Sequence, residues 1–165
     1  MAELLFITSQ EMTNTTIIGG NVDVDKYTMC ILSTQVRVIE PLLGSLLYDK
    51  IIADIQAGTL TGLYLTLFNE YVKPITKNEA CAAYIMISPY VLTNGGLFKN
   101  NPDNVEVVDI KEVEGLSQQY SSVAQMYINR FNKWISKNEL VEYVTTQDDV
   151  DAQDIHINNT WSFYE

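Results

Sequence analysis

Few residues in this chain have the type and spacing that chemistry requires. His156 is the single histidine, and it stands away from any nucleophile arrangement, so it reads as a surface residue rather than a general base. Ser45 follows Gly44, but the G-x-S-x-G spacing of a nucleophile elbow is absent. Gly19-Gly20 and Gly95-Gly96 read as helix-boundary pairs, not as a G-x-G-x-x-G fingerprint or a phosphate-binding loop. Counted as a calcium loop from Asp149, the chain places Asp149, Asp151 and Gln153 at ligand positions. The sixth residue is then Asp154 instead of glycine and the twelfth Thr160 instead of glutamate, which removes the sharp turn and the bidentate ligand. Cys30 and Cys81 are lone cysteines in apolar surroundings, read as reduced core residues, and no Cys or His pair has metal-ligand spacing. The expectation is a protein that is not an enzyme, with no cofactor and no metal.

The elements that would position any site are helical. Thr8 or Ser9 caps a short turn over Gln10–Asn14 with Glu11 in its first turn, and TTIIGGN (15–21) is a loop. Asp23 or Asp25 caps a helix to about Ile39, where Glu40-Pro41 ends or kinks it. Pro41 then suits the first position of PLLGSLLYDKIIADIQAG, which carries Gly44 mid-helix and stops at Gly58. A third helix runs to about Val72 and is broken by Lys73-Pro74; Thr76 and Glu79 form a capping box for the next. That fourth helix, NEACAAYIMISPYVLTN, is apolar nearly all round and reads as the central one, shortened or kinked by Pro89 and ended by Asn94-Gly95-Gly96. Glu112–Val144 carries a stripe at Val113, Leu116, Tyr120, Val123, Tyr127, Phe131, Trp134 and Ile135, then Leu140, Val141 and Val144. This spacing predicts one long amphipathic helix closing the bundle.

Two stretches depart from helical patterning. Leu97-Phe98-Lys99 and Val105–Ile110 flank the turn cluster Asn100–Asn104, which predicts a β-hairpin arm over about 97–110. An isolated hairpin is marginal in water, so Leu97, Phe98, Val105 and Val107 are candidate contacts with the bundle or another chain. After Val144 come Asp148, Asp149, Asp151 and Asp154, then an aromatic end. The acidic part reads as a solvated linker. Ile155, Ile157, Trp161, Phe163 and Tyr164 read as a segment that docks on another chain. The expected fold is mainly α: a bundle of four to five helices over 1–145 with a small β-hairpin arm, and an extended C-terminal tail over 146–165.

Composition sets further bounds. The net charge of −11 is uneven: residues 1–100 hold 9 acids and 6 bases, whereas 101–165 hold 12 acids and 4 bases. Such a chain lacks the clustered Lys and Arg that grip phosphates, so DNA binding is not expected. The N-terminal MAELLFITS has no basic n-region and only a four-residue apolar run, so it does not read as a signal peptide. No apolar stretch reaches a membrane span, and the reading is a soluble protein made in the cytosol.

The element order, with Ile39-Glu40-Pro41-Leu42-Leu43-Gly44-Ser45-Leu46-Leu47-Tyr48-Asp49-Lys50 early and Tyr127-Ile128-Asn129-Arg130-Phe131 continuing into Trp134 late, resembles a known family. Over roughly residues 3–145 the chain is similar to the head–tail connector (adaptor, or neck ring) proteins of tailed bacteriophages, most of all those of crAss-like phages. The resemblance implies a subunit of a closed ring, of twelve copies, under the portal. Such a ring joins the portal to the next tail or neck ring protein and extends the channel through which DNA passes without specific binding. It also implies a virion location in the neck or tail. The acidic, aromatic tail departs from the family pattern. The rival reading is a soluble helical adaptor or regulatory subunit that binds a protein partner without forming a ring.

Overall fold

A computed structural model describes residues 4–19, 22–93, 96–99 and 109–143. Among them the chain is mainly helical, as the apolar periodicity predicts. The α-helices are α1 (Ser9–Thr15), α2 (Val24–Thr34), α3 (Glu40–Leu43), α4 (Ser45–Ala57), α5 (Gly62–Leu67), α6 (Lys73–Ile87) and α7 (Ile110–Ile135). Their starts follow local chemistry. Thr8 and Glu11 form a reciprocal capping box on α1, Asp23 caps α2, and Asp109 with Glu112 forms a second capping box on α7.

Neither Pro41 nor Pro74 breaks its helix. Each is preceded by a five-residue π-turn, Gln35–Ile39 before α3 and Phe68–Val72 before α6, so α2–α3 and α5–α6 each run as one rod. In these turns Glu40 N–H donates to Gln35 O and Lys73 N–H to Phe68 O, one residue further back than in an α-helix. Proline cannot donate and its ring presses on the carbonyl four residues back; a wider turn just before it relieves both conflicts. The first break is at Gly44 instead. With φ 76° and ψ 154° it occupies a region essentially reserved for glycine, so it separates α3 from α4 and is not mid-helix. Thr76 is likewise no cap: it is buried inside α6, its Oγ1 donating to Val72 O at 2.8 Å.

The predicted arm is also corrected. α6 ends at Ile87, just before Pro89, and Tyr90–Thr93 (β1) pairs antiparallel with Gly96–Lys99 (β2) in the register Tyr90↔Lys99 to Thr93↔Gly96. Leu97 and Phe98 therefore lie on a strand that pairs with β1. Asn94 and Gly95, read in the sequence as part of a helix cap, lie outside the described residues. Residues 100–108 lie outside the described residues, and Ile110 opens α7.

α7 is shorter than the stripe implies. It stops at Ile135, where Ser136 Oγ donates to Lys133 O and Asn138 Nδ2 to Trp134 O, side chains taking over carbonyls that the helix would have used. The chain then turns back: Leu140 is buried, and the Tyr143 ring lies 5.9 Å from Phe131, edge to face. Tyr64 Oη donates to Glu142 Oε2 at 2.7 Å, which ties this return to α5. The hydrogen bond to Glu142 and partial burial push the Tyr64 phenol up to about 12.

The core has two apolar clusters along the rods. One gathers Ile39, Leu43, Leu47, Ile51, Phe68, Val72 and Phe131; the other gathers Tyr27, Ile31, Cys30, Cys81, Ile85 and Val113. Neighbouring residues of the N-terminal segment divide between them, Phe6 into the first and Ile7 into the second. Gln35, buried in the first π-turn, holds this segment: Phe6 N–H donates to Gln35 Oε1 (2.8 Å) and Gln35 Nε2 donates to Leu4 O (3.0 Å). Among the described residues no single helix is long and apolar enough to cross a membrane; Ser45–Ala57 with Gly62–Ile87 reaches that composition only as a pair bent by 98°.

Candidate interaction surface

The most extensive helix contact in the fold is α6 against α7, and small residues make it possible. Ala80, Cys81, Ala82 and Ala124 are all buried, which lets the backbones approach. Ser117 Oγ reaches across to donate to Ala82 O at 3.0 Å, and Ser121 Oγ lies 3.4 Å from Glu79 Oε2. This packing corrects the predicted stripe. Ala124, not Val123, carries the seam through the middle of α7, and Val123 is 39% exposed. A scan for large apolar letters passes over alanine, although a tight helix crossing selects it.

A shallow groove of about 620 Å³ opens beside this seam, lined by Glu79, Gln118, Ser121, Met126, Arg130 and Lys133 among others. A smaller hollow of about 250 Å³, with Thr34, Arg37, Ala83 and Met86, shares Glu79 and Ser121 with it. Burial raises the Glu79 carboxyl, while the Ser121 hydroxyl and the Arg37 charge act the other way. A single carboxyl beside hydroxyls and amides offers hydrogen bonds and a charge. Among the described residues no group of three His, Cys, Asp or Glu side chains is placed to hold a metal ion. Met86 and Met126, both exposed, sit among the polar groups of these two hollows.

The last turns of α7 carry a second pattern. Arg130 and Lys133, three residues apart, are exposed on the helix, and exposed Lys137 follows just past its end. The ion pairs among the described residues are Lys50–Asp54 and Lys73–Glu11, so these three cations have no acidic partner there. Arg130 lies over the Tyr127 ring, 5.2 Å from its centroid.

Of the residues singled out in the sequence, Leu97 and Phe98 are placed on β2. Val105 and Val107, together with Ile155, Ile157, Trp161, Phe163 and Tyr164, lie outside the described residues. The groove around Glu79 went unread in the sequence. Its signal was there in part: Glu79, Ser117 and Ser121 are polar letters on helices that otherwise pair closely.

A family model described as a family of unknown function (DUF6712) matches residues 39–149, about two thirds of the chain. No curated protein and no solved structure matches the chain significantly.

Proposed function

The chain belongs to the DUF6712 family, and we propose that it is a non-enzymatic structural virion protein, the subunit of a head–tail connector ring. In this reading copies of the chain close a ring, of twelve subunits, between the portal and the next tail or neck ring protein. The genome passes through it without specific binding, and the protein resides in the neck or tail of the virion.

The observation that carries the reading is where the family-like residues sit. Leu43, Leu47 and Tyr48 of the early motif and Phe131 of the late one all belong to a single apolar cluster. The motif is thus a scaffold signature, as expected of a subunit whose work is to be placed and to make contacts. The helical bundle supports it, as does the acidic balance, which favours a lumen that repels phosphates. A ring needs different surfaces on its two sides that close on one another. The paired strands Tyr90–Thr93 and Gly96–Lys99 and the sequence that follows Tyr143 are the proposed contacts.

The test is co-expression with the portal protein encoded in the same genome, followed by co-purification and negative-stain microscopy. The expected result is a ring seated on the portal. A chain that never binds the portal overturns the reading and leaves the single-partner adaptor in its place.

A further inference from the structure

Between Glu114 and Arg130 the chain has no charged residue, although α7 is exposed along one side throughout. The buried residues of α7 are Val113, Ala124 and Phe131. Gly115, Ser122 and Asn129 each stand two positions from one of these, about 200° around the helix, and all three are exposed. With exposed Gln119 and Met126 between them they follow at alternating steps of four and three. This period packs one helix along another, and depletion of charge is a mark of an interface centre.

Gly115 is an independent sign. Glycine inside a helix weakens it relative to alanine. Gly115 lacks the positive φ of Gly44, Gly58 and Gly62, and a Cβ built on it meets nothing within 4 Å. Neither backbone shape nor packing among the described residues calls for the missing side chain. Close approach from outside the subunit does.

The charges that bound this seam select the occupant. Glu112 stands before it and Arg130 after it, both exposed, and neither has an ion-pair partner among the described residues. They lie eighteen residues, about five whole turns, apart, so they share one edge of the face. A second α7 laid antiparallel about a twofold axis near Ser122 sets each Arg130 beside Glu112 of the other copy. The same axis sets Gly115 opposite Asn129, small against larger, and Ser122 opposite itself. Lys111 and Lys133 also meet near the ends, where Glu112 and Glu114 offset them. A parallel course would instead set Glu112 on Glu112 and Arg130 on Arg130.

We propose that two copies of this chain pair antiparallel through the outer faces of α7, with an Arg130–Glu112 ion pair at each end of an uncharged seam. Such a contact sets one patch against itself, whereas a ring closes head to tail. It therefore does not rest on the connector reading, and the two fail separately.

The test is sedimentation velocity on the full chain at about 0.1 mM, far above a micromolar Kd. A species of twice the subunit mass is expected. Gly115→Leu puts its side chain in open space and raises helix propensity, so circular dichroism should show an intact subunit while pairing weakens at least about tenfold. Arg130→Glu and Glu112→Arg should each weaken pairing about tenfold, and the double swap E112R/R130E should restore it to within about threefold. Losses through the helix dipole or the cap would accumulate in the double swap instead. A monomer at that concentration, a dimer that Gly115→Leu leaves intact, or a double swap no tighter than the single ones overturns the proposal. A larger assembly that Gly115→Leu leaves unchanged also overturns it, and that outcome belongs to the ring.

Discussion

The two rods, α2–α3 and α5–α6, are built alike up to one residue and then diverge. Each position in the first has a counterpart 33 residues on: Gln35 and Phe68 open the π-turns, Ile39 and Val72 close them in the core, and Pro41 and Pro74 follow. Both openings converge on Phe6. Gln35 accepts its N–H, and the Phe68 ring meets its ring edge to face at 5.4 Å. Three residues past the proline the rods part, where the first has Gly44 and the second Lys77. Glycine takes up a backbone angle that ends the helix; lysine stays helical, and α6 continues to Ile87. The proline sets the shape of the turn before it. The residue three positions after it decides whether there is a long helix at all, and the longer rod packs most extensively on α7, beside the groove around Glu79.

The largest expected effect comes from removing what the rods share. Phe6→Ala should cost about 3–5 kcal/mol in chemical denaturation, and a loss under 1 kcal/mol would show that the two π-turns do not depend on it. Next is the point of divergence. Gly44→Ala forces a side chain into a positive-φ conformation and should cost about 1–3 kcal/mol, whereas Lys77→Gly should cost about 1 kcal/mol and leave α6 helical. Equal costs at the two positions would remove the contrast. Gln35→Leu keeps apolar volume but leaves the Phe6 N–H and the Leu4 carbonyl without their partner, an expected loss of about 1–3 kcal/mol.

The smallest effect concerns the extra length of the second rod. Burial raises the Glu79 carboxyl above its ordinary 4.5, so the folded state prefers it neutral. The stability this brings is complete below pH 4.5 and declines as pH rises through the folded value. Glu79→Gln should therefore raise the melting temperature at pH 7 and make no difference near pH 4. A rise that persists at pH 4 would point to a cause other than ionisation.

Much of this protein is determined locally and can be read from letters. Thr8 with Glu11 and Asp23 before Val24 announce their helices because capping involves residues at most three apart. The alternating steps of three and four along α7 announce an amphipathic helix for the same reason. The acidic second half, and the absence of a nucleophile–base spacing, are properties of the sequence alone.

Tertiary structure decided what local rules leave open. Pro41 and Pro74 read as breaks because proline removes a helical hydrogen bond, yet packing of Ile39, Val72 and their neighbours keeps both rods whole through a wider turn. The residues after Pro89 read as the end of a helix, yet Tyr90–Thr93 pairs with Gly96–Lys99 as two strands. Leu140 continues the apolar spacing of α7, yet the chain turns back there, with Tyr143 on Phe131 and Glu142 accepting from Tyr64. Val123 lost its place in the seam to Ala124, since close approach between α6 and α7 rewards a small side chain that no hydropathy pattern marks. Local sequence proposes each of these alternatives at similar cost, and burial of the shared core is large enough to choose between them.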